Sequence, residues 1–446
     1  MASMTSRAFD SLPVGRAVLQ QCVPAIVSQM IVLLYNWADA FFVGRLTDPS
    51  SLAAISLVAP YFLMLTALAN LAGIGGGIVY SAALGKNDPD AARRASSAAV
   101  RIGVLIALAN SMLFFFFREP LLSLTGARAE TMGPALEYSR WIVVIGGPVI
   151  ILNLVLANLV RAEGLSKPAA IGVSMGGLLN IVLDPLFVLP QCLGMGVAGA
   201  GLATTASNLC SVIFFIVVIA TRKGTSLTLR GTDMAEVRPT VGQILSRGLP
   251  SCLQYMLTVV AVAALSHFLS MYGTHSIAAF TVVKELNYLP LYFSIGVSLG
   301  IMPMLSYNHA KGDFERRDSV FRIGIAISLG FSLLCLVCYE LFAPGIARFF
   351  IDEPETDRYI AAFIRRIVVA MPFMAICYPS ITLFQTTGHI KEALVCTMLR
   401  KGVLDIPLLI LFNSLLPLLG CLWVQPVLDF ISMIFVFIFL KKYFSL

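Results

Sequence analysis

Two carboxylates stand where carboxylates are costly. Asp184 lies in MGGLLNIVLDPLFVL (175–189), and it is the only ionisable side chain between residues 169 and 188. About twenty apolar residues suffice to cross a hydrocarbon core as a helix. An Asp near the middle of such a helix costs roughly 2.5–3.5 kcal/mol on insertion scales, so it normally faces a polar cavity or a partner. Asn180 lies one helical turn earlier on the same face. Pro185 follows directly and brings no N–H, which leaves the carbonyl of Ile181 without its helical donor. A carboxylate, an amide oxygen and a freed carbonyl thus converge, as a cation site requires. The plainer reading is a lone buried Asp that caps a neighbouring helix or stays protonated.

The second acid is Asp39, in YNWADAFFVGRL (35–46), with Tyr35 one turn before it. Its segment and that of Asp184 are expected to run in the same direction. At 1.5 Å per residue both acids fall roughly 20–30 Å from the cytoplasmic end. Thr204 and Thr205 of the next segment come back to a similar depth, roughly 10 Å below the outer surface. Burial and a second carboxylate both disfavour ionisation. A proton, or a small hard cation such as Na⁺ that takes oxygen ligands, relieves both penalties. Releasing that ion on the opposite side is the minimum requirement of ion-coupled alternating access.

The elements that must position these groups are membrane helices. The chain has 446 residues, 58% hydrophobic and only 12% charged, with a mean hydropathy of +0.87. Soluble domains carry about 25% charged residues. Twelve apolar segments are expected, at 16–43, 53–82, 96–117, 134–160, 169–189, 197–220, 243–271, 277–306, 319–343, 359–386, 393–418 and 420–440. Lys and Arg concentrate in the even-numbered loops and at the termini, which predicts that both termini are cytoplasmic. The same distribution in short loops argues against a nucleic-acid partner. Residues 1–10 are polar and the first apolar run is too long for a cleaved signal, so no signal peptide is expected. The nine cysteines are scattered and suggest neither disulfides nor a metal knuckle; Cys335-x-x-Cys338 reads as packing.

The longest polar link, near 222–240, divides the chain into an N-terminal lobe (1–221) and a C-terminal lobe (241–446) of six helices each. The halves resemble each other at offsets of about 221 to 225 residues. SLAAISLV (51–58) matches SIAAFTVV (276–283), GKND (85–88) falls opposite AKGD (310–313), AEGLSKP (162–168) opposite TTGHIKE (386–392), and VLD (182–184) opposite VLD (403–405). Six spans per half make the repeat parallel, with a pseudo-two-fold axis along the membrane normal. Transporters place substrate at such an interface.

Other charges are harder to place. Lys284 and Glu285 are adjacent in segment 8, and adjacent helix positions do not face each other, so separate partners are expected. Asp405 lies one turn after Lys401 and an i,i+4 contact accounts for it; Asp429 has no evident role. Gly73-x-Gly75-Gly76-Gly77 follows no strand, so it reads as close helix packing rather than a phosphate loop. The four histidines form no H-E-x-x-H and no catalytic constellation is visible, so an enzyme is not expected.

Over essentially its whole length the sequence resembles the multidrug and toxic compound extrusion (MATE) transporters, most closely the prokaryotic type. The resemblance is carried by YNWADAFFVGRL (35–46), LVRAEGLSKPAAIG (159–172), LLNIVLDPLFV (178–188) and VAGAGLATTAS (197–207). It implies a monomeric, V-shaped pair of six-helix lobes in the plasma membrane. Such a protein exports organic cations and other lipophilic drugs in exchange for H⁺ or Na⁺, with no cofactor beyond that ion. It also implies a first-lobe ion site at Asp39, Asn180, Asp184 and Thr204, and a cavity lined by Tyr35, Asn153 and Asn158, to which Lys284 and Glu285 are added as candidates. Some members bind Na⁺ in the second lobe through acids of helices 7 and 10; here 242–271 and 359–387 contain none. The rival reading is a flippase for a lipid-linked saccharide, which would need several basic residues in the central cavity.

Overall fold

The computed structural model describes residues 7–43, 49–222, 224–229, 234–350 and 354–444. Lys223 and Arg230 of the expected linker, and Gly44 to Leu46 of the 35–46 piece, lie outside the described residues. The chain is an all-α membrane protein of two lobes. The first comprises α1 (Val14–Val43), α2 (Pro49–Gly85), α3 (Pro89–Leu124), α4 (Ala129–Ala162), α5 (Ser166–Val188) and α6 (Gly196–Thr221). The second comprises α7 (Met234–Ser270), α8 (Thr274–Lys311), α9 (Phe314–Phe350), α10, α11 and α12 (Leu419–Tyr443). The fourth helix of each lobe carries a local irregularity. In α4 it is a π-turn at Arg140–Ile145; in α10 a 3₁₀ turn at Val368–Ala370 joins Pro354–Ile367 to Met371–Thr387. Helix α7 begins at Met234, inside the stretch expected to be linker.

Eleven helices among the described residues are long and apolar enough to span a membrane, against twelve expected segments. The difference is α11, which is broken into α11a (Ile390–Arg400) and α11b (Asp405–Leu415). The break follows from Gly402, whose φ of +145° lies outside what L side chains readily adopt. Apolar composition hid it, because Gly402-Val-Leu is as hydrophobic as a helix would be.

The lobes meet most closely where small residues let backbones touch. A Cβ on Gly75 of α2 would lie 2.0 Å from the carbonyl oxygen of Ile244 in α7, and one on Gly248 of α7 would lie 2.0 Å from that of Leu71. Gly85 faces Tyr307 of α8 in the same way, while Gly296 and Gly300 of α8 lie against Ile26 and Cys22 of α1. The expectation of close helix packing for the 73–77 glycines therefore holds: Gly75 packs on the other lobe, while Gly73 lies against Val155 and Asn158 and Gly76 against Ala99 of its own lobe. All these contacts lie toward the Lys/Arg-rich end. There the N-terminal turn adds a latch: Asp10 accepts from Lys311 at 2.8 Å and from Tyr307 at 2.9 Å, and Arg316 donates to the carbonyls of Phe9 and Leu12.

This floor gives a prediction. Gly248→Val cannot be accommodated without separating α7 from α2, since the obstacle is backbone rather than a flexible side chain. Cys22, 1% exposed at the α1–α8 contact, should then react with maleimide several-fold faster than in the wild type. Peptide mass spectrometry resolves it from the exposed Cys192.

Candidate functional site

Between the lobes lies a cavity of about 900 Å³. It runs from Arg161 and Gln385 near the basic end to Phe41 and Thr281 near the other, and the wall mixes Tyr and Phe faces with amides. Tyr35, Asn153, Asn158 and Glu285 line it as expected. Lys284 does not. Its ammonium instead pairs with Glu285 at 3.8 Å, both side chains about one-third exposed, and Glu285 also accepts from Trp37 of α1 at 2.8 Å. The separate-partner expectation thus fails for these two: adjacent Cα–Cβ vectors diverge, but both side chains are long enough for their tips to meet.

The first-lobe wall itself carries a connected polar chain, since Asn153, Asn180, Thr204 and Asn208 all line the cavity. Asn180 Nδ2 donates to Asp184 Oδ1 at 3.1 Å and to Thr204 Oγ1 at 3.4 Å. Helix geometry makes the first contact, since the residues are four apart on α5; α5–α6 packing makes the second. Asn208 of α6 donates to the Thr204 carbonyl at 2.8 Å, and its Oδ1 accepts from Asn153 at 2.7 Å. The chain therefore leads from the cavity wall through Asn180 to Asp184, which is fully buried. Thr205, considered beside Thr204 on depth alone, turns away and donates to the Trp141 carbonyl at 2.8 Å.

Asp39 and Asp184 are near enough to interact electrostatically, and Tyr138 of α4 feels the charge of both. Tyr35 is close to Asp39. Neither acid has a hydrogen-bonded or ion-paired base among the described residues. One oxygen of each important group is buried without a partner: Asp39 Oδ1, Asn180 Oδ1 and Asp184 Oδ2. Buried polar atoms are nearly always satisfied, and in a membrane core the cost of leaving one orphaned is several kcal/mol. Three orphaned acceptors around two acids, with a threonine hydroxyl beside them, make a set of hard oxygen donors. That set suits a proton or Na⁺.

Sequence reasoning missed three participants. Asn208 lies one turn beyond Thr204 on the same face, and that i,i+4 spacing was a usable signal. Tyr138 gave none, because it reads as one aromatic among many. Arg161 seemed a loop residue, yet it is 2% exposed, lines the cavity floor and donates to Asn158 Oδ1 at 3.0 Å.

The MatE family model matches residues 24–186 and again 250–411, once in each half. The chain belongs to the MatE family. Among relatives of this MatE chain are the multidrug export protein MepA of Staphylococcus haemolyticus (strain JCSC1435) and that of Staphylococcus aureus (strain MRSA252). The first is 26% identical over 96% of this chain and 94% of the relative; the second is 26% identical over 93% and 91%. Solved structures share the fold. A multidrug resistance MATE family transporter in its outward-facing conformation superposes with a TM-score of 0.89 at 24% identity, covering 96% of this chain and 95% of that one. A MATE in complex with MaL6 gives 0.91 at 23%, covering 99% and 98%. The protein is accordingly a multi-pass membrane protein of a transporter family.

The orphaned cluster predicts an asymmetry in stability. Asp184→Asn keeps the shape and the contact with Asn180 while removing one of two mutually repelling charges, so the thermal midpoint in detergent at neutral pH should equal or exceed that of the wild type. Asp184→Leu instead leaves Asn180 Nδ2 short of a buried acceptor and should lower the midpoint by a few degrees, the effect of about 1 kcal/mol.

Proposed function

We propose that this MatE-family protein is an ion-coupled multidrug efflux antiporter of the plasma membrane, with both termini cytoplasmic. It exports organic cations and other lipophilic compounds through the interlobe cavity in exchange for H⁺ or Na⁺, and works as a monomer of two lobes, 1–221 and 241–446, joined by 222–240. The observation that carries this reading is the set of orphaned buried oxygens of Asp39, Asn180 and Asp184, linked to the cavity surface through Thr204, Asn208 and Asn153. The multidrug-export names of the MepA relatives support the substrate class.

In this mechanism Asp39 and Asp184 supply the charge that attracts the ion, and Asn180 and Thr204 complete its oxygen shell. Ion arrival from outside offsets one of the two negative charges and gives the orphaned oxygens a partner. The first lobe then repacks against Asn153 and Tyr35, which face the substrate, and the drug is displaced outward. Release of the ion to the cytoplasm follows when the glycine-lined floor parts. The wall favours amphipathic cations: Tyr35, Tyr255, Tyr288, Tyr292 and Tyr378 offer aromatic faces, and Glu285 lies toward the outer end. A lipid-linked saccharide flippase needs a basic cavity. Here Arg161 is the one Lys or Arg side chain among the described lining residues, which speaks against it.

The test uses proteoliposomes loaded with a fluorescent cation and given a pH gradient or a Na⁺ gradient separately. One gradient should drive dye movement. Asp39→Asn and Asp184→Asn should each slow it at least about tenfold, the equivalent of ~1.4 kcal/mol, while equilibrium dye binding changes by less than threefold. Wild-type rates in both variants would sink the assignment.

A further inference from the structure

With both termini cytoplasmic, the outer end of the second lobe carries positive charge where membrane proteins usually have little. Arg358, Arg365 and Arg366 follow one another along the first part of α10, Pro354–Ile367. They converge on one place. A groove of about 610 Å³ between α9, α10 and α12 is lined by all three, by Pro344 of α9 and by Trp423 of α12. No Asp or Glu lines it among the described residues, and Asp357, next to Arg358, lies outside the lining. Glu340 of α9 stands 3.9 Å from Arg365 with both side chains well exposed, a loose pairing that contributes little. Arg366 Nη1 donates to the Ala362 carbonyl at 2.6 Å, while its Nε is buried without a partner.

The groove lies at the depth of lipid headgroups. His389, two residues past the end of α10, has its ring 4.4 Å from that of Tyr443 at the end of α12, so the two helices end at one cytoplasmic level. At 1.5 Å per residue Arg366 stands about 32 Å above Thr387 and Trp423 about 30 Å above Tyr443, and the hydrocarbon core is about 30 Å thick. Directly beneath, the surface turns apolar. Two turns deeper lie Phe373 below Arg366 and Phe430 below Trp423, their rings in edge contact at 5.4 Å between centroids. On α9, Leu341 is 70% exposed one turn below Pro344. A cationic groove above an apolar trough has the polarity of a phospholipid; a soluble anion has no use for the trough.

We propose that this groove is a binding site for an anionic phospholipid of the outer leaflet. The guanidinium groups of Arg358, Arg365 and Arg366 hold its phosphate, Trp423 packs on its glycerol backbone, and its acyl chains lie over Phe373 and Phe430. Guanidinium groups pair with phosphate oxygens two at a time, and the orphaned Nε of Arg366 is a donor that such an acceptor satisfies. A lipid seated there braces the upper part of α10 just above the 3₁₀ turn at Val368–Ala370. Below that turn Tyr378 and Gln385 of the same helix line the interlobe cavity. The site is independent of the ion chemistry of the first lobe.

Trp423 is itself the probe. Trp37→Phe with Trp141→Phe leaves it as the one tryptophan, and lipids brominated on their acyl chains quench a tryptophan only at close range. In phosphatidylcholine nanodiscs, brominated phosphatidylglycerol should associate at Trp423 about fivefold more strongly than brominated phosphatidylcholine, the effect of one engaged arginine at a membrane surface. Arg358→Gln, Arg365→Gln and Arg366→Gln together should bring the two lipids level. The thermal midpoint verifies folding, and it should rise with phosphatidylglycerol content in the wild type but not in the triple variant. If the triple variant does not fold, Arg358→Gln and Arg366→Gln singly carry the test, each lowering the preference. Equal quenching by both lipids in the parent protein would mean that the arginines merely reach water, and would overturn the proposal. A preference that survives the substitutions in folded protein would overturn it too. Glycerol 1-phosphate in solution should leave the preference unchanged; if it abolishes the preference, the groove takes a soluble anion and the lipid assignment falls.

Discussion

No water reaches the hydrocarbon core, so every polar atom placed there must find its partner within the protein. That constraint organises both lobes. Along the helices the backbone satisfies itself, and nearly every side-chain hydroxyl in a span donates back to a carbonyl one turn earlier, as Ser81, Thr258 and Thr382 do. Other buried side-chain atoms lack partners too, the hydroxyls of Ser298, Ser332 and Thr397 among them, but Asp39, Asn180 and Asp184 bring three such oxygens, two of them carboxylate, to one site. Satisfying them would have required only a nearby Arg or Lys, and the second lobe shows the fold can supply one.

The buried Arg400–Asp429 pair shows what a charge-paired alternative is like. Both charges are desolvated, which by itself costs several kcal/mol per ion; Gln425 and the Tyr378 ring add to the ion pair, although one guanidinium nitrogen of Arg400 is buried without a partner. Truncating one partner of such a pair typically costs about 3–5 kcal/mol. The arrangement is therefore rigid. The first-lobe cluster sets two carboxylates among neutral amides and a hydroxyl, with no Arg or Lys bonded to them among the described residues.

Much of this was legible in the sequence, and the exceptions have physical causes. Asp39 and Asp184 stood out because an acid in an apolar run has few structural excuses, and Asn180 followed from helical spacing. The parallel repeat was visible because SLAAISLV and SIAAFTVV recur at the 225-residue offset that also separates the ends of the two family-model matches. The break in α11 was invisible to hydropathy, which cannot distinguish a broken apolar helix from a whole one; only the backbone freedom of Gly402 marked it. Lys284 and Glu285 misled because side-chain length overrides the divergence of neighbouring backbone vectors. Arg161 and Tyr138 depend on interhelical packing that no local pattern encodes.

The glycines of the interlobe floor add the remaining step. An interface of side chains that interdigitate would need repacking in each conformation, whereas Gly75 against Ile244 and Gly248 against Leu71 are backbone-on-backbone contacts with little to disentangle. Such a contact is short-ranged: it is lost entirely once the helices part by an ångström or two, and it offers no intermediate state. A bistable floor of this kind converts a small change in the first lobe into a choice between closed and open. In the antiport cycle proposed above, the chemistry of one carboxylate pair and the geometry of a few glycines at the opposite end of the helices are parts of one device.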